Sequence, residues 1–509
     1  MRDWLPKIMI LGALAVVLGV PFIFRPATAS HTAGNADGSA RLVIITPHNE
    51  QIRSEVATAF NNYRKALGKQ AIGFDWRTSG GTSDLRRMVQ ADFTAKAADG
   101  LAASGIGIDL FFGGGDYEHN QLAKGVYVNG QDQLEPIIET IVLPQGLLQQ
   151  VYPTNNIGGE PLYHPKLAWV GVVLSSFGIV YNRDILEIRK LPEPNTWTDL
   201  ENPNYHGWLA LADPAHSGSL AQTYNTILRR SGWNEGWRHL RRIFANARYF
   251  TSGASKVPVD VSAGEAAAGM CIDFYGRYQA GAVGGNRVGY VDPPFVTAVT
   301  ADPITILRGA PQKELANEFI VWLLQKNTQK LWQRRKGTPN GPVTFELRRQ
   351  PIRRDLYTAS EMKQWTDPQI KPYQIARNFP DGTPNYYSYV APIAHSMAID
   401  IHEELGKAWG VLNANPNHPK ITEMWALFDA MPQPLVLNWP TTELQTNWQS
   451  IMQDKNHKQH QQVVDTIREH YLSLKTRWKD HDQQLKDRLE WTLFFRGNYR
   501  KIVEMGKAG

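Results

Sequence analysis

The chain has 509 residues, enough for two to four domains. A hydrophobic content of 42% with 16 tryptophans is built to bury a core and excludes a disordered chain. A net charge of +6 is too small at this length to imply nucleic acid, and the single cysteine, Cys271, excludes both an intramolecular disulfide and a paired-cysteine metal site.

At the N-terminus, Arg2 and Lys7 precede an apolar run, Ile8–Phe24, interrupted at Pro21, and Ala27-Thr28-Ala29 fits the small-residue rule for cleavage. The pattern predicts a signal peptide over 1–29 and hence export; the apolar run also suits an N-terminal membrane anchor. Residues 30–40 are small and polar and read as a linker. "RLVIIT" (Arg41–Thr46) is a β-branched strand, followed by a helix with Ile52, Val56, Phe60 and Tyr63 on one face. "AIGFDW" (Ala71–Trp76) is a second strand, and "SGGTS" leads from it into a helix bearing Leu85, Val89 and Phe93. "GIDLFFGGGD" (Gly107–Asp116) is a third strand ending in three glycines and an acid. Strand–helix alternation of this kind predicts a parallel sheet covered by helices, with ligand loops at the carboxyl ends of the strands. Those ends are Pro47-His48-Asn49, Ser79–Ser83 and Gly113–Asp116.

A second α/β segment follows. "SSFGIVYN" (Ser175–Asn182) is strand-like, "WLALADPAHSGS" (Trp208–Ser219) runs from strand through polar loop into a helix, and Gly264–Phe274 reads as a helix start and then a strand. Gly289–Leu307 is mixed β with proline breaks, and one amphipathic helix is expected through Leu315, Phe319, Leu323 and Leu331. No internal repeat is evident. The basic run Arg334–Arg354 reads as solvated surface. From about Phe345 the alternation stops, and Gln461–Leu493 is expected to form one long amphipathic helix, with Val464, Ile467, Tyr471, Leu474, Trp478, Leu485 and Leu489 on its apolar face.

Several chemistries lack their motifs. There is no Gly-x-x-x-x-Gly-Lys-Ser/Thr loop, and "SGGTS" has no lysine to reach a phosphoryl group. "IHEEL" (Ile401–Leu405) lacks a second histidine at helical spacing, and no serine sits in a Gly-x-Ser-x-Gly elbow.

Six stretches, "VIITPHNEQIRSEVATAF", "DWRTSGGTSDLRR", "GIDLFFGGGDYEH", "LSSFGIVYNRDIL", "LADPAHSGSLAQTYN" and "GEAAAGMCIDFYGRYQ", in this order resemble the extracellular solute-binding proteins of bacterial ABC importers. The resemblance is to the type 2 periplasmic binding proteins, which include ferric-ion and phosphonate binders. It covers roughly 41–335, including a return segment, "ADPITILRGAPQKELANEFIVWLLQKNTQKLW", and more faintly 375–410. It implies an α/β fold of two lobes joined by hinge crossover strands: lobe 1 from 41–175 and 300–345, lobe 2 from 176–299, and a mainly helical C-terminal extension over 346–509. It implies a periplasmic monomer that traps a small-molecule or metal solute in the cleft and delivers it to an ABC permease in the inner membrane, with no nucleic acid, no enzymatic activity and no certain cofactor.

Ligand contacts are then expected from Ser79, Gly80, Gly81, Thr82 and Ser83, whose amides and hydroxyls precede a helix and favour an anion. Ser217 and Ser219 repeat the arrangement in the second lobe. Ser175 and Ser176 lie at the crossover, and His48, Gly114, Asp116, Asp273 and Tyr275 lie at strand ends. If the transported ligand is ferric ion, the resemblance points to His48, Asp116 and Tyr275 as its ligands. Ferric binders often use an adjacent tyrosine pair; the second lobe offers only Tyr275 and Tyr278, and the adjacent Tyr386-Tyr387 lies in the tail. Two other readings stand beside transport: an enzyme on the same fold with Cys271 as nucleophile and Asp273 or Glu265 as base, and an anchored sensor or scaffold that uses the extension to bind a protein.

Overall fold

The computed structural model describes residues 40–99, 102–127, 134–284 and 286–507. The expected signal segment and nearly all of the linker lie outside them. Apolar, β-branched runs form the strands and amphipathic runs cover them. In the first lobe β1 (Arg41–Ile45), α1 (Glu50–Ala66), β2 (Gly73–Arg77), α2 (Thr82–Ala98), β3 (Leu110–Phe112) and α3 (Asp116–Lys124) follow in order. β1 pairs in parallel with β2 on one side and β3 on the other. In the second lobe β5 (Leu209–Ala212), α4 (Gly218–Ser231), α5 (Trp233–Ala245), β6 (Ala247–Thr251), α6 (Lys256–Ala263), β7 (Ala268–Ile272) and α7 (Asp273–Ala282) follow. Here too the first strand is central, with β6 and β7 parallel on its two sides. The two lobes thus repeat one strand order, although the sequence shows no overt repeat.

Between them runs β4 (Val170–Asn182), thirteen residues long and buried throughout. Its first half pairs antiparallel with β9 (Val299–Leu307), ending at Ser176 opposite Val299. Its second half pairs with β7 from Phe177 onward, and with β8 (Val288–Val291). β9 also pairs antiparallel with β3. The resulting sheet is continuous, in the order β2-β1-β3-β9-β4-β7-β5-β6. Every inward face of β4 is therefore a core position, which is why its sequence is apolar without alternation.

The chain returns to the first lobe through α8 (Lys313–Leu323). This helix is shorter than its pattern predicts. Gln325 is extended, and Leu331 falls in a separate turn, Lys330–Trp332. The break carries Gln329 inward, where its amide donates to the carbonyls of Val172 (2.6 Å) and Leu323 (2.7 Å). The basic run is solvated surface only in part: Arg335, Lys336 and Arg354 are exposed, but Arg349 is fully buried, and Arg334 and Arg353 are each 6% exposed. Two acids draw this segment in. Glu55 accepts the backbone N–H groups of Val343, Thr344 and Phe345 at 2.6–2.8 Å, and Arg349 pairs with Asp302 on β9.

The C-terminal extension is helical: α9 (Tyr387–Ala394), α10 (His402–Ala414), α11 (Ile421–Asp429), α12 (Thr442–Gln453), α13 (His460–Arg477) and α14 (His481–Lys507). It shares one hydrophobic core with the second lobe, in which Trp233, Trp237 and Phe244 of α5 meet Tyr389, Trp409, Phe428 and Phe495. The single helix expected over Gln461–Leu493 is two. Buried Asp487 accepts from Arg477 Nε (2.7 Å) and Trp478 Nε1 (2.9 Å), so the chain turns at Trp478–Asp480 to bring α14 against the end of α13. Among the described residues no helix is long and apolar enough to cross a membrane.

Arg349 is the most consequential buried charge. Its guanidinium donates to Ser175 Oγ (2.8 Å) and Asp302, lies 2.8 Å from His48 Nε2, and stacks over the Phe274 ring at 4.1 Å. Burial by itself would raise the Asp302 carboxyl; Arg349 and His48 more than offset this and hold it at about 2. Arg349→Met should cost about 3–5 kcal/mol in denaturant unfolding, because the buried Asp302 loses its guanidinium and keeps only His48 beside it, and adding Asp302→Asn should recover part of that loss. The sign with pH follows from the depressed value. Asp302 contributes its stability above about pH 4, the unfolded value, and loses it as the pH falls through about 2, so the acid limb should flatten in the double variant.

Candidate ligand-binding site

The carboxyl ends of the strands in the two lobes face one another across a cavity of about 410 Å³. This is the size of a pocket for a small molecule. Pro47 and His48 after β1, Thr78, Gly80, Gly81 and Thr82 after β2, and Gly114–Tyr117 after β3 form one jaw. Ser217–Ser219 after β5, Ser252–Ser255 after β6, and Ile272, Phe274 and Tyr275 around the end of β7 form the other. Ser175, Phe177 and Thr300–Asp302, on the crossover strands β4 and β9, also line it.

Helix N-termini dominate the lining. α2 is capped by Gly81 and α3 by Gly115, neither of which has a side chain to spend on the first amides. α6 and α7 also lack a side-chain cap, while Ser217 caps α4 by accepting from Leu220 N at 3.3 Å. Unspent amides and helix dipoles from both jaws favour negative charge in the space between them. Arg53 of α1 adds a cation to the wall, and its Nε is buried without a hydrogen-bond partner.

The acids in the cavity differ in charge. Asp302 is ionised and already matched by Arg349. Asp116, at the start of α3, is pushed up to about 7 by burial and by the neighbouring Glu160 carboxylate. His48 is 3% exposed, and burial lowers its imidazole. His48 Nε2 lies 2.8 Å from the Arg349 guanidinium and 3.0 Å from Asp302 Oδ2, and Nδ1 lies 3.0 Å from Thr46 Oγ1.

Most of the expected contacts come together here. His48, Gly80, Gly81, Thr82, Gly114, Asp116, Ser175, Ser217, Ser219 and Tyr275 all line the cavity. Four do not. Ser83 donates inward to Glu118 Oε1 (2.7 Å), Ser176 donates to Asp292 Oδ1 (2.7 Å), and Asp273 is buried against Arg277 (2.8 Å). Ser79 is exposed on the loop, outside the lining. Cys271 is fully buried in β7 and away from the cavity, and burial pushes its thiol far up, which removes the nucleophile of the enzyme reading. The three residues expected for ferric ion, His48, Asp116 and Tyr275, all line the cavity; both His48 nitrogens lie within hydrogen-bond distance of protein groups, and the Tyr275 hydroxyl donates to the Pro47 carbonyl at 3.1 Å.

Sequence reasoning missed Arg53, Tyr117, the Ser252–Ser255 loop and Tyr387. Arg53 carried no signal beyond its place one turn into α1. The loop did carry one: "TSGAS" (Thr251–Ser255) after β6 matches "TSGGT" (Thr78–Thr82) after β2, at the same point of the repeated strand order. Tyr387, in the tail pair set aside as remote, lies in the cavity wall.

The jaws touch. Asp84 of α2 lies 2.9 Å from His216 Nδ1, Arg87 donates to the Ala215 carbonyl (2.9 Å), and Glu160 pairs with Arg229 of α4. The nearest approach is at Gly81, where an added Cβ would stand 2.2 Å from the His216 carbonyl oxygen. Gly81 has φ −79°, which any residue adopts, so alanine there meets only the opposite lobe. Gly81→Ala should therefore leave the melting temperature nearly unchanged while raising the radius of gyration in small-angle X-ray scattering. An unchanged radius would mean that the His216 loop yields instead.

Residues 145–352 match the family model described as bacterial extracellular solute-binding protein. The phosphoglycerate transport regulatory protein PgtC of Salmonella typhimurium is 28% identical over 162 residues, which is 32% of this chain and 40% of that protein's length. The periplasmic binding protein AfuA of Actinobacillus pleuropneumoniae, solved with fructose-6-phosphate, superposes with a TM-score of 0.51 at 16% identity, covering 72% of this chain and 97% of its own. A second periplasmic binding protein, P5PA, gives a TM-score of 0.51 at 15% identity, over 72% and 98%. Residues 145–352 are thus similar to the bacterial extracellular solute-binding proteins, and the two-lobed fold is that of the periplasmic binding proteins AfuA and P5PA.

Proposed function

We propose that the protein is the periplasmic solute-binding component of an ABC-type importer and that it traps a small phosphorylated solute for delivery to a membrane permease. The observation that carries this reading is the meeting of glycine-capped helix N-termini and Arg53 on one cavity between the lobes. Backbone amides at helix N-termini and a guanidinium are the donors a phosphate monoester needs. The hydroxyls of Thr82, Ser217, Ser219, Ser252 and Ser255 add neutral donors around it. The names of two similar proteins agree in chemistry: one is a phosphoglycerate transport regulatory protein and the other was solved with fructose-6-phosphate. Export rests on the N-terminal apolar run and cleavage pattern, which lie outside the described residues.

Ligand contacts to both jaws would favour the joined arrangement, and release would require them to part, which is hinge closure about β4 and β9. The loop "SGGTS" brings no lysine, and the single thiol is buried elsewhere. A second reading, a sensor of the same solutes, is favoured by the word "regulatory" in the name of PgtC. Uptake by the reconstituted permease separates them: a transport component is required for uptake, whereas a sensor is dispensable.

Isothermal titration calorimetry with phosphoglycerate and fructose-6-phosphate, against glycerate and fructose, tests the central reading. Binding of the phosphorylated member of each pair alone is expected, and equal affinity within a pair would overturn it. Asp116 adds a pH dependence. Because its proton leaves near pH 7, the cavity gains a negative charge as the pH rises from 6 to 8. Affinity for the phosphorylated solute should then fall about tenfold further in the unsubstituted protein than in Asp116→Asn over that range. The solute's own ionisation is common to both proteins and cancels in the ratio.

A further inference from the structure

The C-terminal extension reaches the cavity at one residue, Tyr387, the first residue of α9. Its ring stacks on Tyr117 of α3, with centroids 4.1 Å apart and planes 24° apart. Its hydroxyl lies 3.0 Å from Glu118 Oε1 in the first lobe and 3.3 Å from the Gly218 carbonyl oxygen in the second. Glu118 is itself held by Arg86 and by Ser83. The backbone beside Tyr387 is fixed as well, since Tyr386 N donates to Asn225 Oδ1 of α4 at 2.9 Å. Tyr387 is thus a rigid post anchored to both lobes.

On the far side of the stack lies a second, more open cavity of about 900 Å³. Asp116, Tyr117 and Tyr387 line both spaces, so the two rings are the partition between them. The far side carries Lys124, Lys166, Lys475 and His164, with Asp116 at the partition as its only acidic residue among the described residues.

We propose that the Tyr117–Tyr387 stack is the end wall of the ligand cavity and sets the length of solute it accepts, which makes the C-terminal extension a specificity element. With the wall in place, a phosphorylated solute of three to six carbons is enclosed, and a longer one collides with the rings. With the wall removed, the cavity opens into the basic one and a longer phosphorylated solute gains room. This inference rests on the phosphorylated-solute reading above. It assigns part of the ligand discrimination to Tyr387, which the two-lobe core does not supply.

The test is calorimetric titration of the full chain with fructose-6-phosphate and with adenosine monophosphate as the longer probe. The unsubstituted protein is expected to prefer fructose-6-phosphate by a factor of about ten or more. Tyr387→Ala should bring that ratio toward one, chiefly by tightening the longer probe. Tyr117→Ala should do the same from the other half of the stack, and it keeps the test open if Tyr387→Ala melts early. Tyr387→Phe retains the ring and should retain the preference. A ratio unchanged in both alanine variants, with fructose-6-phosphate still bound, overturns the wall alone. An unsubstituted protein that binds neither phosphate overturns the underlying reading and the wall with it.

Discussion

The structure depends on one shared strand. β4 is paired with β9 up to Ser176 and with β7 from Phe177, so a single stretch of backbone belongs to the sheets of both lobes. Two parallel sheets attached end to end on such a strand point their carboxyl edges at each other. The loops and helix N-termini that follow those edges then line one space. No charged residue has to draw them together, because the connectivity already does so. Parting of the two lobes would have to bend β4 and β9, whose residues Ser175, Phe177 and Thr300–Asp302 stand in the cavity wall.

The electrostatics follow from the same arrangement. A cleft between helix N-termini is positive without any lysine, and its one strongly ionised acid, Asp302, is neutralised from outside by Arg349. Arg349 comes from the return segment, so that segment is part of the site's charge balance as well as of the first lobe's core. Burying a guanidinium costs several kcal/mol unless it is matched; here it has a carboxylate, a hydroxyl, an imidazole and an aromatic face. What remains facing the cavity is Arg53, the amides and a carboxyl that is half protonated near neutral pH. That combination suits a phosphate, which accepts from amides and guanidinium and tolerates a neutral acid beside it.

Much of this was legible in the residues. The strands and helices of both lobes announce themselves by period, and "SGGTS" and "HSGS" mark helix starts where an anion can sit. Side-chain direction was not legible. Ser83 and Ser176 share sequence neighbourhoods with cavity residues, yet each donates to a carboxylate that an arginine also pairs, Glu118 with Arg86 and Asp292 with Arg277. The basic run reads as surface by composition, but the acids that pull it inside, Glu55 and Asp302, lie 288 and 47 positions away along the chain. Long-range pairs of this kind leave no local trace. The same holds for Tyr387, whose place is set by the packing of α9 on α4 and by Glu118, 269 residues earlier.

Everything proposed for this cavity turns on a phosphate seated between the two jaws. A crystal structure of the protein grown with fructose-6-phosphate would locate it. Phosphate density is expected within hydrogen-bond distance of the amides at Gly81–Ser83 and of Ser217 or Ser219 in the same molecule. Density for the phosphate outside this cavity, or bound by one lobe with the other unchanged, would contradict it.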